Sequence, residues 1–307
     1  MKIFDAHCDV LWQLWMGKGK KSFQNDSSLH ITYDQLKQNG GSVQCFAIYV
    51  PEEVPYGQRF AVALEMTNIF HEQILALPNI KWIRTKEDIQ RLGKDEIGAL
   101  LTLEGCDAIG NELEKLKTLY YLGVRSVGLT WNYANLVADG ALESRGGGLT
   151  LFGKKAVDEL NRYKVWTDVS HLSEKGFWDV IELANHLIAS HSNSYELCQH
   201  PRNLTDEQIK ALIQKDGMIG ITFVPMFLAA NKSVCMDDIL RHVEHVCMLG
   251  GEKNVGFGSD FDGITETVVH VERYEHYEYV INELLKRYKE EQVNNFTYRN
   301  FIHHISF

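Results

Sequence analysis

Hydrophobic positions along this chain follow two rhythms. Short, nearly continuous apolar runs rich in β-branched residues recur at 2–7, 42–50, 97–105, 124–130, 164–171, 186–191, 217–224 and 255–261. Runs this short, apolar on successive positions, predict strands covered on both faces, as in a parallel sheet. Between most of them apolar residues fall three and four apart, which predicts amphipathic helices over 58–77, 111–122, 150–162, 174–184, 205–215 and 236–249, with a last one over 272–291. Several helices carry their own start and stop signals. The stretch TDEQ from Thr205 is a capping box, and Ser173 stands before an apolar-periodic run. Gly123, Gly217 and Gly250 fall just past helix ends, where a left-handed residue is expected.

Eight strands alternating with helices predict an α/β fold, a (β/α)8 barrel, for which about 250 residues is typical. The economical reading is one barrel domain over 1–307. An open doubly wound sheet is the alternative, weakened because no Gly-x-Gly-x-x-Gly follows the first run; Gly146–Gly148, beside Arg145, read as a loop.

Composition narrows the partners. With 45% hydrophobic and 23% charged residues the chain belongs among folded globular proteins. A net charge of −10 argues against nucleic acid and anionic membrane surfaces. No apolar run is long enough to cross a bilayer, and Asp5 and Asp9 interrupt what a signal peptide would need, so a cytoplasmic protein is expected. The six cysteines form no Cys-x-x-Cys pair and are expected as free thiols.

In barrels the active site sits at the carboxyl ends of the strands. There this chain places His7 and Asp9 after the first run, Glu104 after the third, His171 after the fifth, His191 after the sixth and Asp260 after the eighth. Alternation along a strand sends His7 and Asp9 to one face and Cys8 to the other. Taken singly, each has a bland role: a hydrogen-bonded core histidine, a helix cap, a loop ion pair. Carboxylates ending apolar strands are nevertheless expensive to bury without a cation or partner. Three histidines and three carboxylates exceed a closed structural zinc site and lack its thiolates, but suffice for two divalent ions, with Zn²⁺ the best match.

The motifs DAHCD, TLEG, DVSHLS, ASHSN, HPRNLTDEQIKAL and GSDFDG, in that order, closely resemble the membrane dipeptidase (renal dipeptidase) family of metallopeptidases, from the first strand to about residue 262. Beyond it the likeness weakens, FTYRNF standing where the family usually has a Gly-Gly-Asn-type turn. The resemblance implies a binuclear zinc enzyme, two Zn²⁺ per chain, hydrolysing dipeptides by attack of a hydroxide bridging the ions, including some with a C-terminal D-residue. It implies His7 and Asp9 on the first metal, His171 and His191 on the second, and Glu104 bridging them. It further implies Arg202 on the substrate carboxylate and Asp260 at the substrate amine, where Asp260 also serves as proton shuttle. A dipeptide is the implied partner, and a homodimer is among the assemblies to expect.

Two positions depart from the family pattern. LTWN puts Trp131 where many members have a histidine that stabilises the tetrahedral intermediate, so Trp131 is read either as a substrate contact or as core packing. TFV puts Val224 in place of a polar contact, with Phe223 expected to pack the pocket wall. The competing functions are another amidohydrolase-type hydrolase, a deaminase or lactonase, and a silent barrel acting as a binding protein. RHVEH, carrying His242 and His245, is expected on a solvated helix face. Tyr274, Tyr277 and Val280 repeat at helical spacing, expected to pack on the barrel or a second subunit; no partner pattern surrounds His303 and His304.

Overall fold

The computed structural model describes residues 1–230 and 233–307. Nine parallel strands build the sheet: β1 (Ile3–Asp5), β2 (Gly41–Tyr49), β3 (Ile80–Trp82), β4 (Ile97–Glu104), β5 (Val124–Gly128), β6 (Trp166–Asp168), β7 (Leu187–Ala189), β8 (Met218–Ile221) and β9 (Val255–Phe257). Pairing of β2 with β4, in register from Val43↔Gly98 to Tyr49↔Glu104, closes eight of them into a (β/α)8 barrel. The ninth, β3, lies outside the ring. It pairs with the first three residues of β4, below the level at which β5 takes over at Leu101↔Val124. Its burial is uneven, Ile80 buried and Lys81 exposed, so it lacks the continuous apolar signal of the other eight.

Every residue of β4 is buried, as its unbroken apolar run requires. Inside the barrel Phe4, Cys45, Leu100, Trp166, Ile188 and Met218 form one cluster with Phe301 and Ile305. Phe301 comes from the helix Asn300–His304, which plugs the amino-terminal mouth; its ring stacks on Phe4 with centroids 4.5 Å apart. Gly256 admits that ring, since a Cβ there would overlap it. The carboxyl ends of the strands stay open.

Around the sheet, the capping box at Thr205 and the Ser173 cap form as expected. Gly123 and Gly250 take positive φ, but Gly217 does not: Asp216, one residue earlier, adopts φ +55. Helices absent from the sequence reading are Val10–Met16, Tyr33–Gln38, Lys86–Gln90, Pro225–Leu228 and Asn300–His304, each too short to show two turns of periodicity. The 272–291 helix divides into Tyr277–Leu285 and Glu290–Asn294, broken at the charged stretch around Lys286–Lys289 that has no apolar stripe to bury. Tyr274, Tyr277 and Val280 are fully buried, packed on the barrel through Phe257 and Phe261. No helix among the described residues is long and apolar enough to cross a membrane.

Because Phe301 fills the barrel floor, Phe301→Ala is expected to destabilise the fold by ~3–5 kcal/mol. Chemical denaturation reads this directly, and an unmoved midpoint would mean that the floor is not held by this ring.

Candidate metal centre

Although β1 ends at Asp5, the chain stays hydrogen-bonded into the sheet for four more residues. Ala6 N–H donates to Phe257 O (3.0 Å), Asp9 N–H to Phe261 O (2.9 Å), and Cys8 O accepts from Ala47 N–H (3.0 Å). The strand alternation therefore persists. His7 Nε2 lies 3.3 Å from Asp9 Oδ2, while the buried Cys8 thiol faces away and donates to Cys45 O. Asp9 then stands at the N-cap of Val10–Met16, and Asp260 turns back toward His7 through a left-handed conformation, φ +65.

Glu104, the last residue of β4, sits between the histidines. Its Oε2 is 3.6 Å from His7 Nε2; its Oε1 is 2.8 Å from His171 Nε2 and 3.6 Å from His191 Nε2. Asp260 Oδ1 is 4.0 Å from His7 Nε2. All six groups read from strand ends thus meet at one rim. Donor atoms of His7, Glu104 and His191 lie within 4.8 Å of one another, as do those of His7, Asp9 and Asp260.

The hydrogen bonds behind the histidines set their tautomers. His171 Nδ1 meets the Asn132 side-chain oxygen at 2.9 Å, so it must be the N–H donor there. His191 Nδ1 meets Ser190 Oγ at 2.8 Å, and that hydroxyl gives its own proton to the buried Asp168 carboxylate. Both rings therefore present bare Nε2 lone pairs to the centre, 2.8 Å apart. Two lone pairs at that distance repel unless positive charge lies between or beside them. His7 Nε2 and Asp9 Oδ1 are buried and have no hydrogen-bond partner among the described residues. Inward lone pairs, orphaned ligand atoms and buried carboxylates together fit divalent cations.

Ionisation follows the same burial. Burial first, then the charges of Arg202 and His7, hold His171 well below the usual imidazole range. His191 is held down in the same way, by burial and the charges of His7, His171 and Arg202, so both rings are neutral at pH 7. Burial opposes the charge of His7 as well, but Glu104 and Asp9 outweigh it and raise His7 to about 10. Burial and Asp9 push Glu104 well above the ordinary carboxylate range, and burial pushes Asp260 up to about 7.

The centre opens into a cleft of about 720 Å³. Trp12, Tyr49 and Trp131 form a continuous wall, with ring centroids 5.9 Å and 5.3 Å apart, and Val224 and Phe227 lie along its lining. Trp131 lines this cleft rather than the core. Phe223 does not: it is fully buried against Phe257, Phe261 and Tyr277, because its side chain points behind the sheet rather than into the mouth. Arg202 is buried beside His171, Nη2 3.1 Å from Nε2, while its Nε and Nη1 have no hydrogen-bond partner among the described residues. Burial lowers it to about 10, which leaves it cationic at neutrality.

Asn132, Ser190 and Asp168 were not singled out from the sequence, although the hydroxyl preceding His191 and the Asp168-x-Ser-His spacing carry a signal. Gly263 was also missed: a Cβ there would overlap the Asp9 and Asp260 carboxylates. His242 is not solvated, as the helix periodicity suggested, but fully buried, since two backbone groups from the site's loops hold its ring. His245 pairs with Asp206 at 2.6 Å and His304 with Asp216 at 3.0 Å.

A closed parallel barrel with a histidine–carboxylate centre at its open mouth fits the class of metal-dependent hydrolases. Within it, the profile of the family described as membrane dipeptidase (peptidase family M19) matches residues 1–306, and the chain belongs to that family. The match continues through the C-terminal helices, past residue 262 where the motif likeness thins. A Rhodobacter sphaeroides metallopeptidase, solved with a phosphinate mimic of the dipeptide L-Ala-D-Ala, has TM-score 0.93 and 27% identity, covering 100% of this chain and 99% of that one. Dipeptidase AC, of family M19, has TM-score 0.92 and 29% identity, covering 99% and 98%. A Klebsiella pneumoniae protein, an uncharacterized protein in the pqqA 5′ region, is 38% identical over 190 residues, 58% of this chain and 70% of the relative.

A cation entering this centre has to displace the proton that His7, raised to about 10, still carries at pH 7. Zinc uptake by metal-free protein is therefore expected to release protons and to tighten as pH rises from 6 to 8, the range in which Asp260, raised to about 7, also ionises. Calorimetry in two buffers of different ionisation enthalpy measures the release; identical heats in both would contradict it.

Proposed function

We propose that this chain is a dipeptidase that hydrolyses the peptide bond of dipeptides, including those with a C-terminal D-residue, using two Zn²⁺. In this reading His7 and Asp9 would hold one ion and His171 and His191 the other, with Glu104 shared between them, a division supported by Oε2 of Glu104 lying near His7 and Oε1 near His171. Bound there, the ions would supply Lewis acidity, lowering the pKa of water and polarising the scissile carbonyl.

The chain's own residues do the rest. Arg202 carries the reading: a buried guanidinium with two unpartnered nitrogens on a cleft wall calls for an anion, and a dipeptide presents its carboxylate within reach of the scissile bond. The closeness of its Nη2 to His171 would put that carboxylate next to the metal ligands, which suits a short substrate. Asp260 receives the substrate amine and, being poised near 7 by burial, passes a proton to the leaving nitrogen. Trp131 offers one neutral N–H donor and a flat face, so it shapes the side-chain pocket beside Tyr49. Asn132, and Asp168 through Ser190, keep the two ligand imidazoles in the required tautomer.

All of these groups lie within one barrel, which supports a single catalytic domain over 1–307. The acidic composition and six free cysteines support a cytoplasmic protein with no nucleic-acid or membrane partner.

A panel of L,L and L,D dipeptides assayed with Zn²⁺, beside metal analysis of the purified protein, tests the proposal. Dipeptides are expected to be cleaved and their C-terminal amides to be poor substrates. Arg202→Met should raise KM by about tenfold or more. Asp260→Asn should lower kcat about 10²- to 10⁴-fold. Turnover of lactones or aminopurines without dipeptide cleavage would move the site to the other amidohydrolase chemistries, and absence of both zinc and turnover would make it a silent barrel.

A further inference from the structure

The RHVEH motif contributes nothing to the metal centre, yet its first histidine is among the most enclosed polar side chains in the molecule. His242 lies on the helix Met236–Met248 and is fully buried. Its Nδ1 accepts from Ser194 N–H at 3.0 Å, and its Nε2 donates to Leu228 O at 3.0 Å. A backbone N–H on one side and a carbonyl on the other permit only the neutral ring with its proton on Nε2.

What those two backbone groups belong to gives the contact its meaning. Ser194 opens the loop that carries Arg202, and that loop closes on itself where Tyr195 N–H donates to Leu204 O (2.8 Å) and Leu204 N–H to Asn193 O (2.8 Å). Leu228 ends the short helix Pro225–Leu228, whose Met226 and Phe227 line the cleft beside the arginine. The guanidinium carbon of Arg202 sits 5.3 Å from the centre of the Phe227 ring. Asn203 adds a parallel tie, its side-chain N–H₂ donating to Phe227 O at 2.8 Å. The imidazole is thus a rigid spacer from behind between the loop bearing Arg202 and the wall on which Arg202 rests.

We propose that His242 is a positioning residue for carboxylate recognition: by bridging Ser194 N–H and Leu228 O it sets where the Arg202 guanidinium stands relative to the Phe227 wall. The inference rests on the dipeptidase reading of Arg202. His242 touches neither substrate nor metal ligands, so its effect falls on binding of the substrate's carboxylate end and not on the bond-breaking step. Loss of the bridge lets the loop and the wall move independently, and an arginine displaced by an ångström loses a directional hydrogen-bonded pair.

The test is a double-mutant cycle on the zinc-loaded protein with His242→Phe, which keeps the volume but removes both hydrogen bonds, and Arg202→Met. His242→Asn, which keeps an acceptor for Ser194, serves as the milder variant should the phenylalanine protein fail to fold. His242→Phe is expected to raise KM for dipeptides about tenfold with kcat changed by less than about twofold, to retain its zinc, and to add no further defect in the Arg202→Met background. His242→Asn should lie between His242→Phe and the unaltered protein. For a dipeptide C-terminal amide, which offers no carboxylate to the arginine, the two histidine variants should match the unaltered protein. Equal losses on acid and amide, loss of zinc, or full additivity with Arg202→Met would overturn the inference and leave His242 a packing residue. Calorimetric binding of a phosphinate mimic of L-Ala-D-Ala to the same four proteins separates the two proposals. If the unaltered protein cleaves no dipeptide, the enzymatic reading fails, and the binding cycle alone still decides whether His242 acts through Arg202.

Discussion

Mutual repulsion among buried ligand groups is the constraint on which this molecule depends. Glu104, Asp9 and Asp260 lie within a few ångströms of one another in a site that excludes most water, and the neutral rings of His171 and His191 turn their lone pairs toward the same point. Such an arrangement is unfavourable in isolation, and a barrel that still forms it must draw its stability from elsewhere. Among the described residues the compensating charges without a cation are the protonated His7 and the Arg202 guanidinium, and the raised affinity of Glu104 and Asp260 for protons expresses the shortfall. The centre is preorganised for positive charge because the scaffold does not let its ligands relax apart.

That scaffold is stiff for identifiable reasons. Closure of the sheet through seven consecutive β2–β4 pairs leaves no free edge at the level of the site, so the ends of the strands cannot splay. The interior below is filled by large side chains from six strands and by the Phe301 plug. Glycines at positions 220 and 258 allow β8 and the end of β9 to approach the Ser190 carbonyl, directly behind His191. The ligands therefore project from a packed floor, and the groups that orient them, the half-buried Asn132 and the buried Ser190 and Asp168, are themselves hydrogen-bonded.

Apart from residues at strand ends, the cleft is bounded by loops, by Trp12 of the helix Val10–Met16 and by the short helix Pro225–Leu228. The loop bearing Arg202 and that short helix are joined by side-chain to backbone hydrogen bonds from Asn203 and His242. Trp131 and Val224, the two departures from the motif pattern, line this cleft beside the histidine and carboxylate groups.

The chain by itself determined what is local. Continuous apolar runs specified the eight barrel strands, helical spacing and caps such as Thr205 and Ser173 specified the main outer helices, and strand alternation put His7 and Asp9 on one side. Ligand types at strand ends were legible because a carboxylate or imidazole ending an apolar run is costly without a partner, whereas Arg202, in a loop, was marked only by the motif resemblance. Only the tertiary structure decided the rest: that β3 adds to β4, that the last helix plugs the floor, that Phe223 faces away from the cleft, and that His242 is buried. Each of these depends on contacts between segments far apart in sequence, whose relative placement is set by closure of the sheet. Periodicity reports which side of an element is apolar, and it carries no record of what that side will meet.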